Sequence, residues 1–153
     1  MPDFSAMLSR HATTPSPEEV KATIDRYAAA VSAMDLDGIV AQFAPDARME
    51  DPVDSVLLNG TGDIRNFFAA AFGAMTKIDF YTDGSIRIAG DKAAVGMRTD
   101  FDTPEGEAIR VESLDVFHFN TQGKITSLEA YYGKTNVTVL ADKDRRVQPE
   151  IPA

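Results

Sequence analysis

Apolar positions along the chain repeat with two different periods. From Val20 they fall three and four apart, so Val20, Ile24, Tyr27, Ala28 and Val31 share one face of a helix. Ser16 is placed to cap that helix, with Pro17 in its first turn and Glu19 completing a capping box. A second, short helix is expected from about Leu36 to Phe43, followed by a turn at Ala44-Pro45-Asp46. Ala47 to Asp51 reads as extended, because Pro52 disfavours helical backbone at the residue before it. Thr61 is the expected cap of a third helix with Ile64, Phe67, Phe68, Ala71 and Phe72 on one side.

Beyond Phe72 the period becomes two. Lys77–Thr82, Ser85–Ala89, Ala93–Phe101, Glu107–Asn120 and Lys124–Tyr132 read as strands. Asp83-Gly84, Gly90-Asp91, Pro104-Glu105-Gly106 and Thr121-Gln122-Gly123 mark the turns between them. Helices followed by an antiparallel meander predict an α+β fold in which about three N-terminal helices cover one face of a curved sheet. A cone-shaped cavity lies between the two layers. Residues 1–15 read as a flexible lead-in, 16–137 as one domain and 141–153 as a charged, Pro-bearing, flexible tail.

Composition narrows the function classes. A chain of 153 residues fits one domain that needs no covalent staple. It has no Cys, which removes disulfides, thiolate metal sites and Cys nucleophiles and fits a reducing, cytoplasmic compartment. The 15 basic and 24 acidic residues give a net charge of -9, which argues against nucleic acid and anionic membranes as partners. No apolar run approaches the roughly 20 residues of a membrane-spanning helix. Met1-Pro2-Asp3-Phe4 lacks the basic start and apolar core of a signal peptide. Two His residues with no carboxylate cluster around them argue against a transition-metal site.

Three residues carry candidate chemistry. On the strand Val111–Asn120, one face holds Val111, Ser113, Asp115, Phe117 and Phe119, an aromatic face with one carboxyl and no base. A carboxylate there is costly unless it is paired or protonated. A structural Asp with a partner across the sheet, or at an edge position reached by water, is the ordinary reading of Asp115, ahead of a function. Tyr27 lies on the apolar side of the first long helix, where a core tyrosine is the ordinary reading. Asp51 ends the first extended segment, and Asp before Pro is common turn chemistry. On the last strand, Thr126, Leu128, Ala130 and Tyr132 share the face expected to line the cavity.

Together these stretches resemble the ketosteroid isomerases of the nuclear-transport-factor-2-like (SnoaL-like, cystatin-like) superfamily. The resemblance is carried by Arg26-Tyr27, Met34-Asp35-Leu36-Asp37-Gly38-Ile39-Val40, Glu50-Asp51-Pro52-Val53, Gly60-Thr61 with Ile64-Arg65 and Phe67, and Asp115-Val116-Phe117-His118-Phe119-Asn120 running into Gly123-Lys124. It spans roughly Val20 to Asn136. It implies a cofactor-independent steroid Δ5-isomerase with Asp51 as general base and with Tyr27 and Asp115 as donors to a dienolate oxygen. It also implies that Phe67, Phe68, Phe117, Leu128, Ala130 and Tyr132 contact a hydrophobic small-molecule substrate, a steroid or related ketone. Members of the family generally dimerise, and Leu114, Val116 and His118 on the opposite strand face suit a homodimer interface. Phe68 departs from those members that place a tyrosine there to support the oxyanion tyrosine. Two other classes fit the same pattern: a polyketide cyclase-like or dehydratase-like enzyme of this fold, and a non-catalytic ligand-binding module. The last would pair Asp115 with a cation. A dehydratase would want a pocket His, and neither His11 nor His118 is well placed for it.

Overall fold

The computed structural model describes residues 3–144. From residue 145 on, the expected tail lies outside the described residues. The chain begins with a short helix, α1 (Phe4–Leu8), inside the stretch read as a lead-in. The long helix α2 (Pro17–Ser32) starts as its sequence demands. Ser16 Oγ accepts the Glu19 N–H at 3.2 Å, and Glu19 Oε2 accepts the Ser16 N–H at 3.1 Å, which satisfies two otherwise free donors. Its buried stripe is Val20, Thr23, Ile24, Tyr27, Ala28, Ala30 and Val31.

Helix α3 (Leu36–Val40) is shorter than expected. Strand β1 (Phe43–Glu50) has already begun at Phe43, so Ala44-Pro45-Asp46 is strand and not turn. The register against the neighbouring strand shifts between Phe43 and Arg48. That irregularity accommodates Pro45, which has no N–H to give a regular ladder. After a two-residue strand β2 (Leu58–Asn59), helix α4 (Gly60–Gly73) begins one residue before Thr61. Asn59 holds the cap position and Thr61 lies inside the helix; Asp63 Oδ2 accepts the Asn59 N–H at 3.0 Å.

The remaining strands are β3 (Lys77–Ala89), β4 (Lys92–Asp102), β5 (Ala108–Phe119), β6 (Ile125–Tyr131) and β7 (Val137–Val139). The sheet order is β2-β1-β6-β5-β4-β3, with β7 paired to the start of β5 at Ile109–Val111. All pairings are antiparallel except β1 with β6, so the meander is joined to the first strand by a parallel pair. Helix α2 packs over β3 and α4 over β1, closing the concave side. Among the described residues, no helix is long and apolar enough to cross a membrane.

Two further irregularities shape the sheet. Asp83-Gly84 is not a turn; β3 continues through it without ending, with a register shift between Asp83 and Arg87 and Gly84 at φ +93°. A bulge uses such a glycine to bend and twist a strand without ending it. The second shift, between His118 and Phe119, moves the facing of β6 at its start. Ile125 is therefore buried with Leu128 and Ala130, whereas Thr126 was the residue expected inside.

Gly96 faces the first bulge, where an added Cβ would stand 2.7 Å from the Asp83 carbonyl oxygen. Backbone cannot yield as a side chain can, so overpacking here is expected to cost about 1–3 kcal/mol. Gly96→Ala should lower the midpoint of urea unfolding accordingly; an unchanged midpoint would show that β3 tolerates straightening.

Candidate active site

The parallel pair β1–β6 brings the two candidate carboxyls into one row. Glu50 pairs with Glu129, so Asp51, one residue on, comes level with Ala130. On the other side of β6, Ala130 pairs with Asp115 of β5. The Val53 N–H donates to the Ala130 carbonyl at 2.8 Å and ties the Asp51-Pro52 segment to that point. Asp51 and Asp115 are thus two strand spacings apart, about 10 Å between backbones, with only the small Ala130 between them. Tyr27 reaches the same space from α2 above. A single cavity is lined by all four, together with Phe67, Phe68, Ala71, Phe72, Met75, Phe101, Ser113 and Tyr132 among others.

Tyr27 is 1% exposed, and its ring is held edge-on by four phenylalanines: Phe43, Phe68, Phe80 and Phe117, with centroids 5.5–6.2 Å away. Edge-to-face contacts of this kind fix a ring's position beyond simple area burial. Among the described residues, the Tyr27 hydroxyl has no hydrogen-bond partner. Phe68 offers it a ring edge and no oxygen. Burial is the main reason its pKa lies well above the ordinary tyrosine range, with the Asp115 and Asp51 charges adding to it. The hydroxyl therefore keeps its proton.

Asp115 is 3% exposed. Its Oδ1 accepts a hydrogen bond from Ser113 Oγ at 2.7 Å. Neither a cation nor a second donor meets the carboxyl among the described residues. Burial pushes it up to about 7; the Ser113 bond works against the rise and the Asp51 charge works with it. Asp51 is also raised by burial, and there the hydrogen bond from Tyr132 opposes the rise. That bond runs from the Tyr132 hydroxyl to Asp51 Oδ1 at 2.8 Å. Burial, followed by the Asp51 charge, raises Tyr132 in turn and keeps it a donor. Two carboxyls that face one apolar space cannot both ionise cheaply, so their titrations are coupled.

Of the residues expected at the site, Tyr27, Asp51, Asp115, Phe67, Phe68, Ala130 and Tyr132 share the cavity. Phe117 and Leu128 do not line it. Both are fully buried in the core, where Phe117 packs edge-on against the Tyr27 ring. Tyr132 was expected as an apolar wall, yet its hydroxyl binds Asp51. No local pattern signals that contact, since it spans 81 residues of chain. Ser113 was placed on the face of Asp115, but its bond was not anticipated; the two-residue spacing on one strand face is the signal that carries it. Among the described residues, no group of three or more His, Cys, Asp or Glu side chains is gathered as a metal site would need.

Residues 24–128 match the SnoaL-like domain family. A steroid Delta-isomerase of Nocardioides simplex is 34% identical over 121 residues, covering 79% of this chain and 95% of that protein. Among solved structures, the epoxide hydrolase/cyclase-like enzyme SalBIII, described in pyran ring formation in the polyether salinomycin, superposes with a TM-score of 0.75. It is 25% identical and covers 82% of this chain and 98% of its own. The match over most of the domain, and the curved sheet with its helix-covered cavity, make this chain a member of the SnoaL-like, nuclear-transport-factor-2-like family of enzymes.

Proposed function

We propose that this chain is a Δ5-3-ketosteroid isomerase-like enzyme that shifts a C=C bond into conjugation with a ketone. The observation that carries the reading is a tyrosine hydroxyl and a carboxyl oxygen without a protein partner among the described residues, in one apolar cavity with a second carboxyl. The Tyr27 hydroxyl and the Asp115 oxygen not bonded to Ser113 face the cavity, where a ligand oxygen would complete them. Asp51 takes a proton from the carbon between the ketone and the double bond. The electrons move onto the ketone oxygen, making a dienolate that accepts hydrogen bonds from Tyr27 and neutral Asp115. Protonated Asp51 then returns the proton to the far carbon of the former double bond. Atoms and electrons balance without a redox partner.

Magnitudes explain why three groups are needed. A positioned base contributes roughly 10²–10⁴-fold. A single oxyanion donor in a water-poor site contributes about 2.7–4 kcal/mol, so two donors outweigh the base. The Tyr132 hydrogen bond orients the Asp51 carboxylate and moderates its basicity. The 34% identical steroid Delta-isomerase supports the substrate class.

A second reading has one observation in its favour, the resemblance to an epoxide hydrolase/cyclase-like enzyme. Neutral Asp115 would protonate an epoxide oxygen while Asp51 takes the proton from an attacking hydroxyl. Turnover of an epoxy-alcohol, with none of a Δ5-3-ketosteroid, would select it.

Three outcomes test the main reading. Wild type should generate conjugated-enone absorbance from a Δ5-3-ketosteroid, and Asp51→Asn should lose about 10²–10⁴-fold in kcat; no turnover by folded wild type would remove the steroid assignment. The reaction needs Asp51 ionised and Asp115 protonated, so kcat/KM should fall on the acid side through the raised Asp51 value and on the alkaline side above about 7.

The same burial has a stability sign. A carboxyl whose folded pKa is raised binds its proton more tightly in the folded chain. Its contribution to stability is complete below the unfolded value of 3.8 and is lost as pH rises toward about 7. Asp115→Asn should therefore be more stable than wild type at pH about 8.5, by up to a few kcal/mol, with the gain vanishing near pH 4. Equal unfolding curves at both pH values would mean that Asp115 is ionised without penalty.

The proposal includes a homodimer. Leu114 and Tyr131 are cross-strand partners on the outer sheet face and are 49% and 47% exposed. Light scattering at micromolar concentration should give twice the monomer mass, and a monomer would exclude it.

A further inference from the structure

The proposed chemistry uses one oxygen of Asp115 and leaves open what decides which oxygen carries the proton. A neutral carboxyl has one O–H, and it donates in only one direction at a time. If that proton sits on the oxygen turned away from the ligand, the cavity loses one of its two donors.

We propose that Ser113 is a positioning residue for the Asp115 carboxyl: its hydroxyl, donating to Oδ1, holds the carboxylic proton on Oδ2 and presents that O–H to the ligand oxygen. The inference rests on the reading of Asp115 as a neutral donor. It adds a residue to which the preceding mechanism gives no role.

The geometry favours this arrangement. Ser113 and Asp115 are two residues apart on β5, so their side chains leave the same strand face into the same cavity. The Oγ–Oδ1 distance of 2.7 Å is that of a good O–H···O bond. An oxygen that already accepts from Ser113 is the poorer place for a proton, which leaves Oδ2 as the O–H oxygen. Oδ2 has no partner among the described residues. The other groups around Asp115 do not compete for its position. β4 supplies apolar Val95, and β6 supplies Ala130. Asp51 beyond β6 brings negative charge, and Tyr27 and Tyr132 bring hydroxyls that stay protonated. Tyr132 has already spent its proton on Asp51. Ser113 is therefore the neutral donor that reaches Asp115 itself.

Donation from Ser113 has a second consequence. It favours the carboxylate over the acid, so it makes the neutral Asp115 a stronger acid and a stronger donor to a developing oxyanion. The direction of this effect separates the proposal from its mirror image, in which Asp115 donates to Ser113. That bond would favour the acid and turn the proton away from the ligand.

The test uses the full chain without substrate, so it does not depend on the steroid assignment. Carboxyl carbons of aspartate are labelled with ¹³C, and Asp115 is assigned from the loss of its signal in Asp115→Asn. Its titration is followed in wild type, Ser113→Ala and Ser113→Thr. Binding of 4-nitrophenol, whose phenolate mimics an enolate oxygen, is measured on the same three proteins. Ser113→Ala should make Asp115 titrate about one pH unit higher and should weaken 4-nitrophenol binding about tenfold, the size of one hydrogen bond to a charged group. Ser113→Thr, which keeps the hydroxyl, should restore both. An Asp115 titration that moves down or stays put in Ser113→Ala would overturn the proposal. So would unchanged phenol affinity, or a loss that threonine does not rescue. Absence of steroid turnover by wild type would remove the isomerase reading while leaving these measurements decisive for Ser113.

Discussion

The site depends on one pairing, the parallel contact of β1 with β6. That contact sets the residue after Glu50 level with Ala130, and the antiparallel register of β5 with β6 then sets Asp115 level on the other side. A shift of one residue in either register would turn a carboxyl from the cavity to the outer face, because strand side chains alternate. The Val53–Ala130 hydrogen bond at 2.8 Å locks the first register where β1 ends. Ala130 keeps the gap between the carboxyls open, and a larger side chain would occupy the space where a ligand would lie.

Around that row the protein places apolar surface. The cavity walls come largely from phenylalanines of α4 and the strands, and among the described residues no cation reaches the two carboxyls. Desolvation then acts on every acid in the cavity in the same direction, upward. What distinguishes them is hydrogen bonding. Asp51 has a tyrosine hydroxyl aimed at it, which supports its charge. Asp115 has a serine and the neighbouring Asp51 charge, which oppose each other. Tyr27 has only ring edges, and nothing competes for its proton. In the proposed mechanism these differences would set a base apart from an acid and a phenolic donor.

The outer network shows the contrast. Asp100 lies under Arg110, with contacts of 2.8 and 2.9 Å to its Nε and terminal nitrogen, and Tyr81 adds a hydroxyl at 3.1 Å. That aspartate sits on the same sheet, one strand from Asp115, yet it is fully paired. The lack of a cation at Asp115 among the described residues is therefore local to this site and not a general feature of the fold's carboxylates.

Much of the fold was legible in the sequence, since its signals are local. The Ser16–Glu19 capping box, the stripe from Val20 to Val31 and the two-residue period of the later strands each depend on neighbours within a few positions. Asp115 stood out for the same reason, as a carboxyl on an aromatic strand face. Errors arose where pairing with a distant strand overrode local chemistry. Ala44-Pro45-Asp46 and Asp83-Gly84 have the composition of turns, but strand partners draw both into the sheet as irregularities. The shift at Phe119 moved Ile125 inward in the same way. That Tyr27, Asp51 and Asp115 share one cavity followed from resemblance, because spacing along a chain carries no information about convergence. The Tyr132 bond to Asp51 and the withdrawal of Phe117 and Leu128 into the core were decided by tertiary structure alone. Each depends on which side chain lies over which, and a one-dimensional pattern does not encode that.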